Sequence, residues 1–486
     1  MFTLRNLWGW ALFHLIVWSV LPLMTNTCLP LDSVEAVLWG SEWAWGYDKH
    51  PPLSGWAAEL FARTFGDVGI YLLSQLCVVT AGFGIYKLGR LLKLNEGQAV
   101  CAVLLLECVH FYTYSSVEFN VNIIQLPFWA WGWYWAMCAV ENRRFLPWIG
   151  LGVCVGLGAL AKYIAVFMLI PLFSAWLLRG QLWKVLRNPG LWVAGLVSVG
   201  IFLPHLIWMV QNDWVTLTYG LDRTGSEGAV WWQHLWFPLE YVLSNVAVLL
   251  PLIGLAVWSR VAGVKMSEAP KGALGLAFGA YGFMVVLSLV MGMEPVSMWA
   301  VPIPLAFGIW LTSRFRLDES PRRVLLVSGL MGLIAVVAYG IVYGMGPKLR
   351  DKPHRVNYPG KAIAEKVESV WQEATDSELS FVIADEFLGG IVNHYGEDRA
   401  SVMIRGVLAR SAYLTEDQVH DEGAIVLWLK TRTADSGRTK SLEQVFPDLR
   451  ERFPQLVEQD DLLIPWPRRS DGKAGRYGLA IIPPAL

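Results

Sequence analysis

Between residues 8 and 344 the chain carries eleven apolar runs, at roughly 8–25, 68–92, 97–115, 122–140, 146–161, 163–178, 189–210, 236–258, 272–292, 297–313 and 322–344. Each is close to the length that crosses a hydrocarbon core about 30 Å thick. A bilayer offers no partner to a backbone N–H or C=O, so each run has to close its hydrogen bonds internally as a helix. The pattern predicts a polytopic α-helical membrane protein of about 11 transmembrane helices, with the lipid bilayer as its first partner. Composition agrees: 55 % of residues are hydrophobic, 26 are tryptophan, and mean hydropathy is +0.43. The first run, which follows Arg5, reads as a retained span because no small-residue cleavage site follows it.

The run from Leu146 to Leu178 contains one charge, Lys162. As one helix it would be about 50 Å long at 1.5 Å per residue, so it is divided at Lys162 into two short spans. Gly150, Gly152, Gly156 and Gly158 give its first half the small-xxx-small spacing of close helix packing. With the N-terminus in the cytoplasm, inner segments hold sixteen Lys and Arg residues and outer loops hold four, Lys49, Arg63, Lys162 and Arg223. The positive-inside rule therefore predicts that the first loop and the C-terminal segment face outward, in the periplasm of a bacterial inner membrane.

The predicted domains are a membrane domain over 1–345, with a first outer loop at about 26–67, and a soluble α/β domain over 346–486. In the latter, Ala362–Thr375 and Phe387–His394 read as helices and Leu379–Ala384 and Ala424–Leu429 as buried strands. A net charge of −1 excludes a nucleic-acid partner. The six cysteines form no CxxC pair, and no Gly-rich phosphate loop occurs in the soluble segment. No internal repeat is present, which weighs against a transporter of a lipid-linked or amphipathic substrate, the alternative class.

Polar chemistry concentrates in LDSVEAVLWGSEWAWGYDKHPPL, residues 31–53. Asp32, Glu35, Trp39 and Glu42 recur at helical spacing and would share one face, with Val34, Val37 and Leu38 on the other. Gly46 is expected to break this helix, and Pro51-Pro52 to hold His50 extended. Asp32 with Glu35 three residues on is equally a capping pair. The other outward polar residues are Glu118 and Asn122, Lys162 with Tyr163, and Arg223. Lys162 and Arg223 emerge on the same side of the membrane as the carboxylates, where cations could meet a lipid-borne phosphate. A lone histidine beside Lys49 is a weak metal site, so no metal ligand is assigned.

Asp32, the run WGSEWAWGYDKHPPL, Ala161-Lys162-Tyr163, Asn212-Asp213-Trp214, Leu221-Asp222-Arg223 and the soluble tail together resemble the bacterial polytopic glycosyltransferases of the C-type fold. This is the family 39-like group related to protein O-mannosyltransferases and to aminoarabinose transferases of lipid A. The resemblance implies a polyprenyl-phosphate-linked sugar as donor, an envelope glycolipid, polysaccharide or protein hydroxyl as acceptor, and Asp32 as catalytic base. It implies Lys49 and His50 as binders of the donor phosphate or of a divalent cation, with Glu35, Glu118, Asn122, Lys162, Tyr163 and Arg223 lining the substrate site. Many members carry a second acid where this chain has Ser33 and an aspartate where it has Asn122, a difference that bears on the acceptor and on metal use. One base and one attack imply inversion at the anomeric carbon, whereas a nucleophilic carboxylate pair about 5 Å apart would give retention.

Overall fold

The computed structural model describes residues 2–141, 144–222, 230–350, 353–432, 439–469 and 471–485. The chain forms two compact units. Met1–Ser19, Leu72–Val210 and Leu217–Val337 make one; Val20–Tyr71, Gln211–Thr216 and Ala338–Leu486 make the other.

Among the described residues six helices are long and apolar enough to cross a membrane: Leu4–Thr25, Leu53–Leu91, Pro189–Gln211, Gln233–Val261, Lys271–Met291 and Pro321–Leu349. A seventh candidate, Glu96–Cys108 with His110–Val117, is bent by 88°. The other expected spans fall on shorter or interrupted helices, Leu126–Glu141, Leu146–Ala161, Tyr163–Leu178 and Phe307–Phe315. Proline explains one interruption: Pro302 and Pro304 sit in the 3₁₀ turn before Phe307. Lys162 breaks the long run as expected, in an extended conformation (φ −166°, ψ 133°) that ends Leu146–Ala161.

In the first unit the glycine stripe sets helix spacing. A Cβ on Gly152 would lie 2.6 Å from the Ala194 carbonyl, and one on Gly156 would lie 2.9 Å from Ile201 Cβ, so this face meets helix Pro189–Gln211 closely. A buried polar cluster, which hydropathy alone hides, ties three segments together. His14 Nδ1 lies 2.6 Å from Glu107 Oε1, Trp10 Nε1 donates to the same oxygen at 2.7 Å, and His14 Nε2 lies 3.1 Å from Gln75 Oε1. Gln75 Nε2 in turn donates to the Ser116 carbonyl at 3.1 Å. Since unpartnered polar groups in hydrocarbon cost several kcal/mol, this network supports the bent span where its helical bonds stop.

The second unit contains a six-stranded mixed sheet ordered β2-β1-β3-β6-β4, with β5 on β6. The strands are β1 Phe381–Ala384, β2 Ser401–Ile404, β3 Ala424–Thr431, β4 Val457–Glu458, β5 Leu462–Pro465 and β6 Ala474–Ile482. β1 runs parallel to β2 and β3, and β6 antiparallel to its neighbours. The four short strands and helices expected here are all present; the first helix is Gly360–Ala374, and Glu386–Tyr395 makes the crossover from β1 to β2. Phe381, Ile383, Met403, Val426, Trp428 and Phe453 belong to the apolar core on this sheet.

Candidate active site

The first-loop helix runs Leu31–Ser41, and every residue from Ser33 to Gly40 is buried. It is thus enclosed and not amphipathic as expected, for two reasons of close packing. Gly40 abuts the next helix, where a Cβ would fall 2.0 Å from the Gly55 carbonyl oxygen; on another side Gly390 of helix Glu386–Tyr395 presses on Val34, where a Cβ would meet Val34 Cγ1 at 2.4 Å. Gly46 does not end the helix. Glu42 is its C-cap, and Trp43 turns the chain with φ 47°, in the left-handed region. The break in the next helix, Leu53–Leu91, comes at Gly66, whose φ of 61° and ψ of −146° suit glycine.

The N-cap of Leu31–Ser41 is Pro30, with no side-chain capping bond, and Asp32 lies inside the first turn. The capping explanation of the Asp32/Glu35 pair is therefore excluded. Asp32 is half-buried and near enough to Glu35 to push that carboxyl upward. Glu42 separates from them: its side chain bonds Ser401.

Lys49 is the centre of the arrangement. Its Nζ lies 3.1 Å from Glu35 Oε1 and 2.8 Å from Glu386 Oε1, and 5.9 Å from the centroid of the Trp39 ring. Tyr47 stacks on Trp39 at 5.9 Å and His50 meets it edge-on at 5.5 Å, so one indole organises the whole turn. The Tyr47 carbonyl accepts from Thr216 Oγ1 at 2.6 Å and its N–H donates to the His50 carbonyl at 3.1 Å. Asp48 is buried and neither carboxylate oxygen has a hydrogen-bond partner among the described residues.

Sequence reading missed Glu386. It stands at the start of the helix that follows the carboxyl end of β1, where Asp385 caps the helix by accepting from the N–H groups of Phe387 and Leu388. Arg405, directly after β2, donates from Nε to Glu386 Oε2 at 3.0 Å, and Arg410 Nη1 lies 3.2 Å from Oε1. Carboxyl ends of parallel strands are where open α/β sheets bind ligands, and that placement was the available signal.

Burial works against ionisation throughout, and partners decide the outcome. It lifts Glu35 to about 7, with the Asp32 and Glu386 charges adding to burial against the pull of Lys49, and lifts Glu42 to about 7 and Asp48 to about 6. For Glu386 burial is overcome by the bond to Lys49, the Lys49 charge, its own helix N-terminus and Arg405, which bring it down to about 2. Burial likewise opposes the Lys49 charge, but Glu35 and Glu386 together raise its pKa. The three raised carboxyls hold protons that the unfolded chain has already released, so folded stability should fall as pH rises through about 5 to 7. Glu386 has the opposite sign and loses its contribution as pH falls from about 4 towards 2. Melting curves of the purified protein should therefore give a higher midpoint near pH 5.5 than near pH 8, with a second decline below about pH 4. Glu35→Gln should flatten the upper limb; a midpoint that rises from pH 5.5 to 8 would contradict the assignment.

In the first unit, Lys162 Nζ donates to Asn122 Oδ1 at 2.5 Å, and Asn122 is buried. Tyr163 OH lies 2.7 Å from His205 Nε2 and donates to Met209 Sδ at 3.0 Å. Glu118 is half-buried after the 3₁₀ turn Ser115–Val117. Arg223 lies outside the described residues. Among the described residues no group of three or more His, Cys, Asp or Glu is placed to hold a metal.

Residues 49–208 match the family model described as dolichyl-phosphate-mannose-protein mannosyltransferase. The whole chain is similar in structure to ArnT from Cupriavidus metallidurans bound to undecaprenyl phosphate, with a TM-score of 0.63 and 15 % identity over 97 % of this chain and 98 % of that one. The chain has the C-type glycosyltransferase fold. The apo state of the same ArnT gives a TM-score of 0.61 at 13 % identity, again over 97 % and 98 % of the two chains. In sequence, the chain is 23 % identical over 316 residues to undecaprenyl phosphate-alpha-4-amino-4-deoxy-L-arabinose arabinosyl transferase 2 of Pseudomonas fluorescens, across 60 % of this chain. It spans about half, 51 %, of that curated relative. The family match begins at Lys49.

Proposed function

We propose that the chain is an integral membrane glycosyltransferase that moves a sugar from a polyprenyl-phosphate donor to a hydroxyl of an envelope glycolipid, polysaccharide or protein, with inversion, on the outer face of the inner membrane. The observation that carries this reading is the enclosed first-loop turn, in which a Lys49 ammonium is gripped between Glu35 and Glu386 with Asp32 one turn away. A polyprenyl phosphate is already a good leaving group. The protein then needs a base for the acceptor hydroxyl and cations for the departing phosphate.

Asp32 takes the proton of the attacking hydroxyl, and Lys49 stabilises the phosphate as the glycosidic C–O bond breaks; Lys162 and Arg223 keep the donor-binding role that the family resemblance implies. Asp32 suits the base better than Glu35, whose carboxyl at about 7 is close to half protonated at neutral pH. The excess of Lys and Arg in the opposite loops, sixteen against four, supports the outward orientation. The fold shared with an ArnT crystallised with undecaprenyl phosphate supports the donor class.

The test is transfer of radiolabelled sugar from synthetic undecaprenyl-phosphate donors by the purified protein in detergent. No transfer from any such donor to extracted envelope lipids, polysaccharides or proteins would refute the reading. In the same assay Lys162→Met should raise donor KM by roughly 10- to 100-fold, a charge-assisted contact worth ~1.5–3 kcal/mol, and leave acceptor KM unchanged. Equal donor kinetics in the variant would make Lys162 a packing residue for Asn122.

A further inference from the structure

We propose that Glu386 is a positioning residue of the donor-phosphate subsite, orienting Lys49 from the soluble segment; this rests on the reading of Lys49 as a phosphate ligand. An ammonium has three N–H donors. In Lys49 one is directed to Glu35 Oε1 at 3.1 Å and one to Glu386 Oε1 at 2.8 Å, which fixes the direction of the third. A lysine otherwise swings on a four-carbon stem, and much of the cost of binding an anion with it is loss of that freedom.

Of the two carboxylates, Glu386 is the one built to stay ionised and still. Its side chain is 4 % exposed, both oxygens are bonded by Arg405 and Arg410 as well as by Lys49, and its backbone belongs to the first turn of a capped helix. Glu35 has Lys49 as its partner and sits beside Asp32, so its hold on the ammonium varies with protonation. A fixed carboxylate near a phosphate would repel it. Here Arg405 and Arg410 offset that charge, so orientation outweighs repulsion. Charge-carrying residues after β1 and after β2 thereby become part of a site whose ligand-binding lysine lies in the first loop.

The experiment is a double-mutant cycle on the binding of undecaprenyl phosphate to the full-length protein in detergent, using wild type, Lys49→Met, Glu386→Gln and the double variant. Glu386→Gln should weaken binding about ten-fold, and should have no further effect in the Lys49→Met background, because it acts through Lys49. A merely structural role would weaken both backgrounds by the same factor. Glu386→Asp, which keeps the charge but withdraws it by one methylene, should fall between wild type and Glu386→Gln, and replaces it in the cycle if the glutamine protein does not fold. Unchanged binding, tighter binding or additive losses in the cycle would overturn the proposal while leaving the lysine in place. Undecaprenyl phosphate binding that is unaffected by Lys49→Met would instead remove the donor reading on which it rests.

Discussion

Asp32→Asn should lower kcat by about 10²–10⁴ while leaving the melting midpoint nearly unchanged. The separation of effects follows from where Asp32 sits. Pro30 holds the N-cap position, so Asp32 is not the residue that caps the helix. Its carboxylate in the first turn also gains from the helix N-terminus, by about 0.3–1 kcal/mol. Asparagine is nearly isosteric and polar, so the half-buried position is still filled. A general base is different, because an amide accepts no proton at neutral pH. Glu35→Gln is the comparison: it removes a partner of Lys49 and should act mainly on donor KM. If the asparagine protein folds normally and turns over at the wild-type rate, Asp32 is not the base and Glu35 and Glu118 become the candidates.

Gly40→Ala should be among the most damaging small substitutions in the chain, against helix propensity. In an open helix alanine is favoured over glycine by about 0.8–1 kcal/mol. At residue 40, however, a Cβ falls 2.0 Å from the Gly55 carbonyl oxygen and 2.6 Å from Glu59 Cβ, and neither is the movable end of a side chain. The two helices must separate by more than an ångström. Overpacking of this kind costs about 1–3 kcal/mol or more, so it reverses the sign. Tyr47, which precedes Asp48 and Lys49, packs so close to Gly55 that a Cβ there would lie 3.0 Å from its ring, so the displacement reaches the turn that holds the ammonium. Activity should fall roughly 100-fold, as expected when reacting groups are misplaced by about 1 Å, and the melting midpoint should drop by several degrees. Gly9→Ala is the control: nothing lies within 4 Å of its added carbon, and the protein should be as stable as wild type or slightly more so. A Gly40→Ala protein with full activity would show that the helices can part without moving the site.

Much of this was legible from residue order. Apolar runs locate the helices, and short buried runs such as Phe381–Ala384 locate strands, because burial on both faces demands it. The pairing of Asn122 with Lys162 was within reach, since both were placed on one side by loop charge. What was not legible depends on geometry with no local signature. Trp43 adopts a left-handed conformation that its residue type does not advertise, so the first-loop helix stops five residues before the glycine that should have stopped it. His14 and Glu107 each look like an isolated polar interruption of an apolar run, and only packing reveals a pair. Glu386 is harder still. Its neighbours mark a strand-to-helix boundary, but nothing in them says that the carboxylate is aimed at a lysine in the first loop.

That long reach has a consequence in time. Lys49 and Glu35 are made well before Glu386, which follows Lys49 by 337 positions. At synthesis rates of roughly 5–20 residues per second the gap is on the order of 17–67 s. Throughout that interval the nascent first loop carries its lysine with Glu35 as the nearest anchor, and without helix Glu386–Tyr395 against Val34. A chain stalled or cut before residue 386 is therefore a membrane protein with its spans in place and its ammonium unbraced. On the role proposed for Glu386, the donor subsite at Lys49 reaches its full hold on the phosphate only after residue 386 has been made.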